Sequence, residues 1–155
     1  MAKSRTTKAR TKSARSLSRS FTMSCESDPK KIGKVEEFLL KVNRSARLDD
    51  GTFYRLLVAT TEAVNNAMIH GNKRDPSKQV KVECTTIPTS IVVRVRDHGA
   101  GFDLNSLPNP IEEENLLRES GRGIFLILSM VDRVDFFFDV EGTTVEMEID
   151  LTKGL

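Results

Sequence analysis

Glu62 and Asn66 stand four residues apart in the stretch Glu62-Ala-Val-Asn-Asn66-Ala-Met-Ile-His70-Gly71-Asn72. The surrounding apolar spacing predicts a helix, and at about 100° per residue the two side chains point within roughly 40° of each other, off the apolar arc. A carboxylate above an amide on one helix face offers oxygen ligands to a hard cation and a base to a nearby hydroxyl or water. Magnesium suits such a pair, because it keeps several waters and takes only one or two protein oxygens. An ordinary solvated helix face has the same composition, and Glu-x-x-x-Asn alone does not separate the two.

Asp97 is placed by a different period. Ile91, Val93 and Val95 alternate with Val92, Arg94 and Arg96, so a strand is expected whose odd residues face inward. Asp97 continues that inward row, where a carboxylate needs donors to offset its burial. Gly99 and Gly101 follow at once and permit a tight turn with close backbone approach. An inward carboxylate beside such a turn could accept the exocyclic amine of adenine. It could equally cap the turn backbone, as strand-end aspartates do.

Gly121-Arg122-Gly123 precedes the apolar run Ile124–Val131. A helix opened by glycines presents free N–H groups to an anion, and Arg122 adds a charge-assisted donor for phosphate. A loop-to-helix hinge would look the same. No Gly-Lys-Ser/Thr follows, so this is not a P-loop, and no parallel βαβ unit precedes it. The two histidines supply little for a zinc or nucleophile scheme: His70 is expected to cap or pack at a helix end, and His98 to face solvent.

The positioning elements follow from periodicity. A first strand is expected over Phe21–Cys25, then a helix opened by Asp28-Pro29, carrying Ile32, Val35, Phe38, Leu39 and Val42 to about Ala46. A turn at Asp49-Asp50-Gly51 leads into a second helix from about Thr52 to Ile69. Val80, Val82 and Cys84 form one strand, joined to the 91–97 strand by a hairpin. Residues 102–120, with Pro108 and Pro110, read as a long loop. Ile124–Val131 is apolar all round and is expected to be a buried helix. Phe136–Val140 and Val145–Ile149, around Glu141-Gly142, give a last hairpin. The expected fold is α+β, a two-layer sandwich with a mostly antiparallel sheet covered on one face by helices.

The chain has 155 residues, enough for one domain with a real core, and its formal charge of +2 conceals an asymmetry. Residues 1–20 hold seven basic residues and no acid, while the remaining 135 carry 17 basic and 22 acidic residues, a net −5. The basic segment is too poor in apolar residues to offset its ordering entropy and is expected to be a disordered tail before a domain at 21–155. It could touch nucleic acid non-specifically, and its Arg- and Ser-rich composition is also that of a transit peptide. No apolar run approaches the roughly 20 residues that span a bilayer, so no membrane association and a cytoplasmic location are expected. Cys25 and Cys84 lack metal-type spacing and are expected as buried thiols.

In order, the three segments resemble the N, G1 and G2 boxes of the GHKL superfamily, whose nucleotide site is the Bergerat (histidine-kinase-like ATPase) fold. They are most similar to those of bacterial anti-sigma-factor serine/threonine kinases. Glu62…Asn66…His70-Gly71-Asn72-Lys73 resembles the N box, Asp97…Gly101-Phe102-Asp103 the G1 box, and Gly121-Arg122-Gly123-Ile124, then Asp132, the G2 region. Pro108…Pro110…Glu114-Asn115 resembles the lid. The resemblance covers about residues 20–150 and implies a protein kinase using ATP and Mg2+. It implies Asn66 as magnesium ligand, Glu62 as base toward a seryl or threonyl hydroxyl, and Asp97 against the adenine amine. Gly99 and Gly101 would shape the adenine pocket, and Gly121, Arg122 and Gly123 would line the phosphates.

The implied partners are a sigma factor, held inactive, and the antagonist that is phosphorylated, with the kinase a homodimer. The alternative is a catalytically silent ATP-binding switch that regulates by binding alone. Retention of both Glu62 and Asn66 favours the kinase, because a pure switch needs the pocket but not the base.

Overall fold

The computed structural model describes residues 17–99 and 119–153. Residues 1–16, Gly101 and the segment 102–118, with its lid-like Pro108, Pro110, Glu114 and Asn115, lie outside the described residues.

Five strands form one antiparallel sheet in the order β1-β2-β3-β5-β4. They are β1 (Arg19–Glu26), β2 (Gln79–Ile87), β3 (Ser90–Arg96), β4 (Arg133–Asp139) and β5 (Gly142–Asp150). Their inward rows read Val80, Val82, Cys84 on β2, Ile91, Val93, Val95 on β3 and Met147, Ile149 on β5, all buried. The opposite face is charged and cross-linked, Arg94 with Glu146 and Arg133 with Glu146 and Glu148. One sheet face is therefore core and the other meets water, the alternation that period two encodes.

β1 starts at Arg19, so the last two residues of the segment assigned to the tail are paired: Arg19 opposite Thr86 and Ser20 opposite Thr85. Edge-strand hydrogen bonding is sequence-independent, so a polar strand start carries no apolar signature.

The α-helices among the described residues are α1 (Ile32–Ala46), α2 (Asp50–Asn66) and α3 (Glu119–Met130). Asp28 does cap, but over a short 3-10 turn, Pro29–Lys31, that feeds α1. Val35, Phe38, Leu39 and Val42 are its buried face. Asp49 caps α2, its Oδ1 accepting from the Thr52 N–H at 2.9 Å. Leu56, Ala59, Ala63 and Val64 carry α2 into the core.

Two expectations about α3 are corrected. It begins at Glu119, inside the stretch that reads as loop, so Gly121-Arg122-Gly123 lies within its first turns rather than before them. It is also not buried all round: Gly123 and Ile127 are buried, whereas Phe125 and Leu128 are 39% and 46% exposed. The helix packs mainly on α2. A continuous apolar run does not reveal which side meets the partner.

Asp132, just after α3, ties the layers together. Its Oδ2 accepts from the Asp150 N–H at 2.7 Å and from Arg55 of α2 at 3.2 Å, and its Oδ1 from Lys153 at 3.1 Å. Arg55 Nε also donates to Met130 O at 2.8 Å, at the end of α3. No helix among the described residues is long and apolar enough to cross a membrane.

Candidate functional site

The regular part of α2 ends at Asn66, and Ala67–Gly71 forms a single π turn. Such widened turns are frequent at functional sites. This one swings His70 and Gly71 toward the end of β3. There Gly71 meets Asp97 so closely that a Cβ on Gly71 would lie 2.3 Å from Asp97 Oδ2. Gly99 packs the same way, since a Cβ on it would lie 2.0 Å from Gly71 O. Glycine at 99 lets the two backbones touch, and glycine at 71 leaves the Asp97 side chain its place.

Asp97 is 7% exposed at the end of the inward row of β3, as its position in the alternation requires. Its Oδ1 accepts from the N–H of Gly99 at 2.9 Å and of Thr143 at 3.2 Å. The carboxylate therefore caps the turn backbone, one of the two expectations for this residue, and the residue also lines a cleft. The Asp97 N–H donates to Thr143 O at 3.0 Å and extends the β3–β5 ladder to this point.

That cleft has a volume of about 380 Å³, within the ~300–1,000 Å³ of small-molecule sites. Its walls are apolar, Ile69, Val95, Ile124, Ile127, Phe136 and Val145, and its polar groups are few: Asn66, His70, Lys73, Asp97 and Thr143. An apolar slot with convergent polar groups suits a flat heteroaromatic ring. Thr143 is 2% exposed, and its Oγ1 finds no hydrogen-bond partner among the described residues. A buried hydroxyl left so costs about 1–3 kcal/mol unless a ligand completes it.

Glu62 and Asn66 meet α3 at Gly123. A Cβ there would stand 3.2 Å from both Glu62 Oε2 and Asn66 Oδ1, so the absent side chain leaves the two head groups their space. Glu62, Arg122 and Gly123 line a second groove of about 500 Å³, together with Pro29, Ile32 and Leu126. Asn66, Ile69 and His70 line both spaces. Asn66 thus lines the cleft together with Asp97 and the groove together with Glu62 and Arg122.

Of the residues singled out from sequence, Glu62, Asn66, Arg122 and Gly123 come together at the groove. Asp97 lines the adjoining cleft, with Gly99 packed behind it. Gly121 lies in the first turn of α3, where backbone N–H groups have no partner within the helix.

Thr143, Lys73 and Phe136 are additional cleft residues. Thr143 was legible: it continues the inward row Val145, Met147 and Ile149, as Asp97 continues that of β3. Lys73 was not, because its place depends on a left-handed backbone, φ 52°, after the π turn. His70 is exposed and borders both spaces rather than packing at a helix end.

Helices over one face of an antiparallel sheet, with a polar-pointed apolar cleft between α2, α3 and the ends of β3 and β5, define an α+β domain with room for a small ligand. The profile of the histidine kinase-like ATPase domain matches residues 25–149, and the chain belongs to that family. The anti-sigma F factor of Anoxybacillus flavithermus is 35% identical over 110 residues, 69% of this chain and 74% of that protein. The serine-protein kinase RsbW of Listeria monocytogenes is 33% identical over 98 residues, 59% of this chain. The chain spans 62% of the length of that kinase.

Among solved structures, the RsbU and RsbW domains of a Mycobacterium tuberculosis protein align with TM-score 0.62 at 15% identity, over 84% of this chain and 32% of that one. The histidine kinase domain of a blue-light-activated Erythrobacter litoralis protein aligns with TM-score 0.52 at 17% identity, over 81% and 61%. Both likenesses concern the fold.

Proposed function

We propose that this protein is an ATP- and Mg2+-dependent serine/threonine protein kinase of the anti-sigma-factor type. In this reading it holds a sigma factor inactive and phosphorylates that factor's antagonist, acting as a cytoplasmic homodimer. One observation carries the enzymatic part: Glu62 and Asn66 converge on Gly123, and Asn66 lines both a ring-sized apolar cleft and an open groove.

The residues present fit the nucleotide and its metal. Thr143 Oγ1 is a buried hydroxyl with no partner among the described residues, on a residue that lines the cleft with Asp97. The groove lined by Glu62, Asn66, Arg122 and Gly123 suits phosphate and cation. Asn66 would hold Mg2+ through its side-chain oxygen, and the ion would neutralise phosphate charge. Asp97 accepts the adenine amine, while Ile69, Val95 and Phe136 enclose the ring. Arg122 and the free N–H groups opening α3 face the phosphates.

The groove admits the acceptor hydroxyl to Glu62. As the hydroxyl oxygen bonds to the γ-phosphorus, the bond from that phosphorus to the ADP oxygen breaks and the proton passes to the Glu62 carboxylate. Positioning and charge supply most of the catalysis in such transfers.

The test is a calorimetric titration with Mg-ATP and Mg-GTP, followed by transfer of labelled γ-phosphate to a candidate antagonist protein. ATP-selective binding with label on a seryl or threonyl oxygen is the expected result. Binding of ATP and a sigma factor without any transfer would leave only the silent switch, and absence of ATP binding would end both readings.

A further inference from the structure

Asn72 is 1% exposed, yet its side chain lies at the crossing of four chain segments. Its Nδ2 donates to Ser27 Oγ at 2.8 Å, after β1, and to Gln79 O at 3.2 Å, at the start of β2. Its Oδ1 accepts from the His98 N–H at 2.7 Å, in the turn after β3. Its own N–H donates to Ala67 O at 2.8 Å and closes the π turn. The amide orientation is dictated by these partners: flipped, its NH2 would face the His98 N–H and its oxygen would face Gln79 O.

We propose that Asn72 is a positioning residue that holds the two walls of the nucleotide site in register. This rests on the reading of the cleft as a nucleotide site. One wall is α2 with its π turn, carrying Glu62 and Asn66; the other is the β3 end, carrying Asp97 and, through the Thr143 N–H, β5. Their backbones meet at Gly71 and Gly99 with no side chain between them. The bond from the His98 N–H to Asn72 Oδ1 crosses that seam beside the contact. It sets how far the adenine-reading carboxylate stands from the metal-holding amide. A bound triphosphate must satisfy both at once, so slack in the seam lowers affinity although Asn72 lines neither the cleft nor the groove. Ser27 belongs to the same hub, but among the described residues its Oγ bonds to Asn72 Nδ2 and Lys78 O, away from the seam.

That difference separates positioning from mere stability. Mg-ATP affinity and melting temperature would be measured for wild type, Asn72→Ala, Asn72→Asp and Ser27→Ala. Asn72→Ala is expected to raise the Kd at least tenfold per folded molecule. Ser27→Ala is expected to lower the melting temperature while leaving the Kd within twofold. Asn72→Asp keeps an oxygen for the His98 N–H but sets its second oxygen against Gln79 O. It should therefore melt below wild type, while its Kd per folded molecule recovers toward wild type from that of Asn72→Ala. An unchanged Kd in Asn72→Ala, an equal loss in Ser27→Ala, or no recovery in Asn72→Asp would overturn the proposal. Should Asn72→Ala not fold, hydrogen exchange of wild type still decides: the His98 amide must be protected without nucleotide, and exchange at an open-loop rate refutes the seam bond. If wild type itself binds no adenine nucleotide, the site reading fails instead, independently of His98 protection.

Discussion

The Thr143 N–H donates to Asp97 Oδ1 at 3.2 Å, while Thr143 Oγ1, on the same residue, is buried without a partner among the described residues. One residue of the cleft wall thus both anchors the carboxylate and carries a buried hydroxyl unpaired among the described residues. Thr143→Val keeps the backbone bond and removes the orphan, so the variant should be as stable as wild type or up to about 1 kcal/mol more stable. Its ATP affinity should fall about three- to tenfold. Thermal melts and calorimetry check this, and equal ATP affinity would remove Thr143 from the base-binding set.

Asp97→Asn preserves an oxygen for the Gly99 and Thr143 N–H groups but loses the carboxylate. ATP binding should weaken at least thirtyfold with the melting temperature little changed. A folded variant with wild-type affinity would show that Asp97 serves the turn alone.

Glu62→Ala should bind Mg-ATP like wild type and transfer phosphate about 10²–10⁴-fold more slowly, the usual contribution of a positioned base. The measurement is labelled phosphate on the antagonist protein, with binding followed separately. Transfer at the wild-type rate would rule out the base assignment.

Gly123→Ala sets stability against activity. Alanine in a helix interior gains about 0.8–1.0 kcal/mol over glycine, while its methyl group would press on Glu62 Oε2 and Asn66 Oδ1 at 3.2 Å. The variant should melt no lower than wild type but transfer phosphate at least tenfold more slowly. Full activity would mean that the space before Gly123 is not used.

Acid should weaken the fold through Asp132. The Asp150 N–H, followed by Lys153 and Arg55, holds its carboxyl below the usual carboxylate range. Because the folded value is depressed, the unfolded chain binds the proton more readily. The stability gained is therefore complete above the ordinary carboxylate value of about 4 and is lost as pH falls through the folded value. Urea midpoints measured from pH 6 downward should fall more gently in Asp132→Asn than in wild type.

Much of this architecture can be read from local pattern. Period-two alternation marks β2, β3 and β5, and it foretells that Asp97 faces inward, because strand geometry assigns sides without reference to the rest of the chain. Helical spacing likewise marks α1 and α2 and puts Glu62 and Asn66 on one face. The beginnings of α3 and β1 are harder to read, since Glu119-Ser120 and Arg19-Ser20 are polar and their hydrogen bonding carries no compositional signature.

What sequence alone determined is which residues share a face: Glu62 with Asn66, Asp97 with Val93 and Val95. Tertiary structure decided how those faces meet. Gly123 comes to Glu62 across some sixty residues of chain, and Gly71 to Gly99 across fewer than thirty. The π turn that aims His70, the two uses of Thr143 and the hub at Asn72 arise from the same approach of backbones. Periodicity is a property of neighbours along the chain, whereas a site is made by the packing of segments that are not neighbours.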